Sequence, residues 1–118
     1  MPGSVLHVGM DDALLSSRTA LIESAGYRVV RCETTEDAIR SLQVDRFDVV
    51  VLCHSVPANE RPMIRAAVQA FRPGTPILYV SRYGQSSVVE PVPQDVSVVE
   101  NQPHEILQRI RAAVVARA

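Results

Sequence analysis

Asp48-Val49-Val50-Val51-Leu52-Cys53 is the most diagnostic stretch of this 118-residue chain. After its one acidic residue the run is apolar throughout, without in–out alternation and too short for a helix. A strand hidden on both faces reads this way, and such strands lie inside parallel sheets covered by helices on both sides. The flanking segments agree. Upstream, Thr34-Thr35-Glu36-Asp37 opens a helix, with Thr34 as N-cap and Asp37 approximating a capping box, and with Ala38, Ile39 and Leu42 as the apolar face. Downstream, Pro62 suits the first turn of a helix carrying Met63, Ile64, Ala67, Val68 and Phe71 up to the Pro73-Gly74 break.

The same alternation reaches both ends. Ser4 to Val8 reads as a first strand ended by Gly9. A helix follows from Asp12 to Ser24, with Leu14, Leu15, Ala20, Leu21 and Ile22 as apolar positions, Asp11 or Asp12 as cap and Gly26 as stop. Arg28 to Cys32 and Pro76 to Ser81 supply the second and fourth strands. Between Arg82 and Gln94 the pattern breaks down, and prolines at 91 and 93 leave room for at most one helical turn. Val96 to Val99 is a fifth strand; Pro103 opens the last helix, with Ile106, Leu107, Ile110, Ala113 and Val114 on one face. Five strand–helix units predict a single α/β domain over residues 1–118, an open parallel sheet with helices on both faces.

Composition excludes several classes. At 47% hydrophobic, 21% charged and net charge −1, this is an ordinary globular composition with no basic stripe for nucleic acid. No apolar run approaches the ~20 residues of a membrane span, and no secretory signal is expected. All 12 basic residues are Arg, so a Schiff base or a P-loop lysine is excluded. Cys32 and Cys53 both lie in strand-like runs and are expected to persist as reduced, buried thiols of a cytoplasmic protein.

From Val5 to Val115 the chain resembles the receiver domains of bacterial response regulators. The resemblance is one of framework and spacing: Val5-Leu6-His7-Val8, the Ala25-Gly26-Tyr27-Arg28-Val29-Val30 link, Glu36-Asp37-Ala38, the Asp48-to-Pro57 stretch, Thr75-Pro76-Ile77 and Gln102-Pro103 fall in the family's order. It implies a flavodoxin-like doubly wound sheet of five parallel strands, order 2-1-3-4-5, here with a shortened or irregular fourth helix. It also implies phosphoryl transfer to an aspartate ending strand three, assisted by Mg²⁺ on two acidic residues, a Ser or Thr and a Lys.

At those positions this chain has Gly9 and Met10 for the acidic pair, Cys53 for the acceptor, Ser81 for the hydroxyl, Gln102 for the lysine and Val99 for the switch aromatic. Only the hydroxyl survives. Asp11 and Asp12 lie beyond the pair; the interval from Val8 to Gly26-Tyr27 needs no insertion, so Asp11 matches an ordinary third acidic position and Asp12 the helix start. No Mg²⁺ site and no other cofactor is expected.

The remaining candidates read as structural. Cys53 and His54 are adjacent on a strand and point to opposite faces, so they form no dyad; Cys53 is expected to be a small buried hydrophobe. Cys32 and Cys53 are two strands apart in the implied order, too far for a disulfide. His7, in the central strand, is expected to be a hydrogen-bonded core residue, because His7, His54 and His104 show no ligand spacing. Gly9 is no phosphate loop, Arg61, Arg65 and Arg72 read as a solvated helix face, and Ser81 as a bonded strand end.

The expected function is a receiver-like, non-enzymatic signalling domain of two-component type that has lost phosphorylation. It would act on a protein partner or as a homodimer, with no nucleic acid or membrane contact. The face implied is that of the fourth helix, fifth strand and last helix, with Val88, Val89, Val92 and Arg109 as candidates. Two alternatives stay open: a thiol-based redox sensor through Cys53, and a receiver with an unconventional phosphoacceptor.

Overall fold

Five strands, β1 (Ser4–Val8), β2 (Arg28–Cys32), β3 (Val49–Cys53), β4 (Ile77–Val80) and β5 (Val96–Val99), form one parallel sheet in the order β2-β1-β3-β4-β5. They alternate with helices α1 (Asp12–Ser24), α2 (Thr35–Val44) and α3 (Arg61–Phe71), and α4 (Pro103–Arg117) ends the chain. These coordinates are a computed structural model describing residues 3–81, 96–99 and 102–117. The fold is the flavodoxin-like doubly wound sheet. The expected irregular fourth helix, with Val88, Val89 and Val92, lies outside the described residues.

The two faces of the sheet divide the core. Leu6 and Val8 of β1, Val50 and Leu52 of β3 and Ile77 of β4 pack with Ala38, Leu42, Ile64, Ala67 and Val68, which places α2 and α3 on one face. Val5, Val49, Val51, Leu78, Val80 and Val99 pack with Ile22, Ile106 and Ile110, which places α1 and α4 on the other. Alternate residues of one strand serve opposite faces. On β1 and β3 this sends His7 and Cys53 to the α1 side, in step with Val5, Val49 and Val51. All five residues of β3 are buried, as its unalternating sequence requires.

Local signals account for the ends of the elements. Asp11 caps α1, its carboxylate accepting from the Leu14 N–H at 3.1 Å, and Thr34 caps α2 through the Asp37 N–H at 3.1 Å. Gly26 sits at φ +97°, the left-handed conformation that ends α1.

Three expectations about helix faces need correction. In α1 the buried residues are Leu15, Arg18, Thr19 and Ile22, while Ala20 is exposed. The buried stripe follows the i, i+3, i+4, i+7 rule, but two of its members are polar and an apolar reading passes over them. In α3, Ile64, Ala67 and Val68 are buried, whereas Met63 and Phe71 at the ends are 51% and 41% exposed.

Nor are Arg61 and Arg72 a solvated face. The Arg61 guanidinium donates to the Val56 and His54 carbonyls at 3.0 and 3.2 Å and lies 4.3 Å from the centre of the Tyr79 ring. Arg72 Nε donates to the Leu42 and Asp45 carbonyls at 2.9 and 2.7 Å. These are among the carbonyls that the end of α2 leaves without helical partners, and a cation there also meets the negative end of the helix dipole. Arg72→Ala is expected to cost about 1–2 kcal/mol in urea denaturation, with Arg72→Lys recovering part of it. An Arg72→Ala variant as stable as the parent would show that the cap contributes nothing.

Candidate functional site

In a sheet of this order the chain leaves β1 toward β2 and returns to β3, so the crevice at the carboxyl ends of β1 and β3 is the switch point where such folds bind ligands. Gly9 and Met10 follow β1 there, and Cys53 ends β3 with His54 and Ser55 just after it. The Met10 N–H donates to Ser55 Oγ at 3.0 Å, tying the two loops together, and Arg61 holds the loop after β3 through its carbonyls.

Beneath these loops lies a buried polar chain of four side chains. Arg18 donates from its guanidinium to Cys53 Sγ at 2.8 Å. Cys53 Sγ is 3.0 Å from His7 Nε2, and His7 Nδ1 is 2.8 Å from Thr19 Oγ1. His7, Cys53, Arg18 and Thr19 are 0%, 1%, 5% and 6% exposed, so each contact is shielded from water. Guanidinium is a donor only, so sulfur accepts from Arg18. The tautomer that uses every hydrogen then has the thiol donating to His7 Nε2 and His7 Nδ1–H donating to Thr19.

The electrostatics match. Burial, then the Arg18 and Arg31 cations, lower the His7 pKa from 6.5 to about 3, so the imidazole is neutral with a lone pair toward the sulfur. Burial pushes the Cys53 thiol up, and the Arg18 charge and hydrogen bond oppose it. Cys32 is also raised by burial, and among the described residues its side-chain bond is to neutral Ser41, at 3.5 Å.

His7 is thus the hydrogen-bonded core histidine expected. The adjacent His54 is not the imidazole that reaches Cys53; His7, from the neighbouring strand, fills that role. Its register partner on β3 is Val51, one same-face step before Cys53. A cation reaches the sulfur as well, although the chain has no Lys, because Arg18 projects inward from α1. The sequence signal for Arg18 and Thr19 was present in their helical spacing with Leu15 and Ile22.

Gly9 is buried, and a Cβ built on it would sit 3.2 Å from Cys53 Cβ and Sγ and 3.3 Å from Leu15 Cδ1. A side chain at position 9 therefore displaces its neighbours. Met10 packs against the α2–α3 core. Asp11 is used as the α1 cap, and Asp12 pairs with Arg31 at 2.8 Å on the surface. Ser81 is buried with Oγ donating to the Val99 carbonyl at 3.3 Å, and Val99 is 2% exposed in the α1–α4 core. Gln102 precedes α4 half-buried, and Arg109 is exposed on it. Among the described residues no group of three or more His, Cys, Asp or Glu side chains is placed to hold a metal. Both cysteines are free, as their separation across β1 requires.

This fold is that of the CheY-like response-regulator receiver domains, which the solved structures similar to this chain represent. The Francisella response regulator 1452 receiver domain matches with a TM-score of 0.82 at 14% identity, over 98% of this chain and 99% of its own. The receiver domain of sensor histidine kinase PA1611 from Pseudomonas aeruginosa, with a magnesium ion coordinated in its active-site cleft, matches at 0.80 and 17%, over 98% and 99%. Chemotaxis response regulator CheY4 of Vibrio cholerae matches at 0.78 and 20%, over 96% and 99%. Identities this low establish a common fold. No protein-family model and no curated protein sequence matches the chain. Among the described residues, no helix is long and apolar enough to cross a membrane.

Proposed function

We propose that this chain is a receiver-fold signalling module of two-component type, cytoplasmic and non-enzymatic, that acts through protein–protein contact without phosphorylation. One observation carries the reading: the residue at the acceptor position is a cysteine, and its sulfur is engaged by Arg18 at 2.8 Å and His7 at 3.0 Å. Mg²⁺ does not fit this donor set. A hard dication takes oxygen ligands, whereas the group facing Cys53 is a guanidinium, and the nearby carboxylates of Asp11 and Asp12 are committed to a helix cap and an ion pair. A neutral thiol beside a fixed cation offers a metal-bound phosphoryl group neither a carboxylate acceptor nor an oxygen ligand for its metal, which supports this reading.

The face that carries the output in this reading comprises β5, the exposed side of α4 with Arg109, and Val88, Val89 and Val92 of the segment outside the described residues. A homodimer or a signalling protein is the expected partner. The fold supports this by analogy, since one fold serves many functions.

The test is a backbone NMR titration with Mg²⁺ and then beryllofluoride. The expected result is no saturable shift at residues 9–12, 53 and 81. Clustered shifts there would replace this reading with a receiver that uses an unconventional acceptor.

A further inference from the structure

A helix that covers a sheet turns its charged residues to the solvent, and α1, α2 and α4 do so through Asp12 and Glu23, through Glu36, Asp37 and Arg40, and through Arg109 and Arg111. Among the described residues, α3 is the exception. Its exposed residues are Pro62, Met63, Ala66, Gln69, Ala70 and Phe71, none of them charged, and Met63 and Phe71 are 51% and 41% exposed. The arginines at its two ends turn inward, Arg61 to the Val56 and His54 carbonyls and Arg72 to those of Leu42 and Asp45. Val44, 77% exposed at the end of α2, adds to the apolar surface where Arg72 joins the two helices. Exposed apolar surface gathered in this way marks a contact with another molecule.

The charges around the face point to its occupant. α2 and α3 run side by side in one direction, joined at their start by the Thr35–Glu60 hydrogen bond, 2.7 Å, and at their finish by Arg72. At the start Glu36 and Asp37 are exposed, with Arg40 paired to both; past the finish Arg46 is exposed, while Asp45 is matched by Arg28. The layer is acidic at one end and basic at the other. We propose that two copies of this chain pair through α3 about a two-fold axis across the helices, so that the two α3 helices run antiparallel. That axis lays the Arg46 end of each copy over the Glu36–Asp37 end of the other and opposes the helix dipoles, whereas an axis along the helices would set like ends together. A register centred beside Ala66 puts Met63 against Ala70 and Phe71 against Pro62, large side chains facing smaller ones, and Ala66 permits close approach of the helices. One helix a side makes a small interface, so the dimer is weak, with a dissociation constant on the order of 100 µM. This contact is separate from the β5–α4 face and does not rest on the signalling reading.

Sedimentation equilibrium of the full chain from about 5 to 500 µM tests it, the mass being expected to rise from that of a monomer toward that of a dimer. Ala66→Glu and Ala66→Arg each bring like charges together near the axis and are expected to weaken association at least about tenfold, and an equal mixture of the two is expected to associate again. Ala66 is exposed on a helix and both replacements are good helix formers, so circular dichroism is expected to be unchanged. Arg109→Glu, on α4, is expected to leave the dimer intact. A monomer throughout the concentration range, a dimer that survives Ala66→Glu, or two Ala66 variants that fail to associate when mixed would overturn the proposal. Loss of the dimer in Arg109→Glu alone would overturn it as well and assign the contact to the β5–α4 face. Should the Ala66 variants not fold, Met63→Glu carries the same test, with loss of the dimer expected and its persistence decisive against the α3 contact.

Discussion

Lowering the pH from neutrality to about 4 is expected to remove roughly 3 kcal/mol of folding stability through His7 alone, rising to about 5 kcal/mol once the pH falls below about 3. The imidazole is fully buried, and burial, Arg18 and Arg31 together lower its pKa from 6.5 to about 3. Between those two values the unfolded chain binds a proton that the folded chain excludes. Stability therefore rises with pH through this window, is complete above about 6.5 and is lost as acid is added. Domains of this size carry about 5–15 kcal/mol in all, so this one group can bring the chain close to unfolding. Urea denaturation of the parent and of His7→Gln, at neutral pH and near pH 4, isolates the effect, since other titrating groups are common to both. The parent's advantage over the variant is expected to shrink by about 3 kcal/mol. An advantage unchanged with pH would mean that His7 accepts its proton in the folded state.

Ile110→Ala is expected to cost about 3 kcal/mol, and Val115→Ala within about 0.5 kcal/mol of nothing. Both lie on α4, five positions apart, but Ile110 is 0% exposed in the α1–α4 core and Val115 is 65% exposed. The first substitution loses buried methyl groups and leaves a cavity in the core that α4 shares with the sheet. The second trims a side chain already in water. Chemical denaturation of the two variants measures how firmly α4 is docked, which matters because the proposed output face includes it. Costs of similar size for both would show that the helix is not seated on the sheet through Ile106 and Ile110.

Wherever the signal is local, the sequence alone suffices. The unbroken apolar run from Val49 to Cys53 requires a strand buried on both sides, because no other short element hides every side chain. Thr34 and Gly26 act on backbone groups within a few residues of themselves, and Ile106 and Ile110 share a face through the helical repeat. Five such units in series require an open parallel sheet covered on both faces, and the resemblance to receiver domains implies the order 2-1-3-4-5 that the structure has. The resemblance to receiver domains, and no local signal, is what sets Cys53 at the acceptor position and Gly9 and Met10 at the acidic pair.

What surrounds Cys53 lies beyond that range, since His7, Arg18 and Thr19 reach it only once the sheet is ordered and in register. The His7 contact crosses from β1 to β3, and its direction depends on the parallel pairing of His7 with Val51. Arg18 and Thr19 sit in the buried stripe of α1, but their polarity hides them from a search for apolar periodicity. Arg72 misleads for a related reason: its position just after α3 looks solvent-facing, and only the packing of α2 beside it turns the guanidinium into a cap. Charged side chains are long and find partners across space, so their roles follow from tertiary neighbours, whereas short apolar side chains obey the period of their own element.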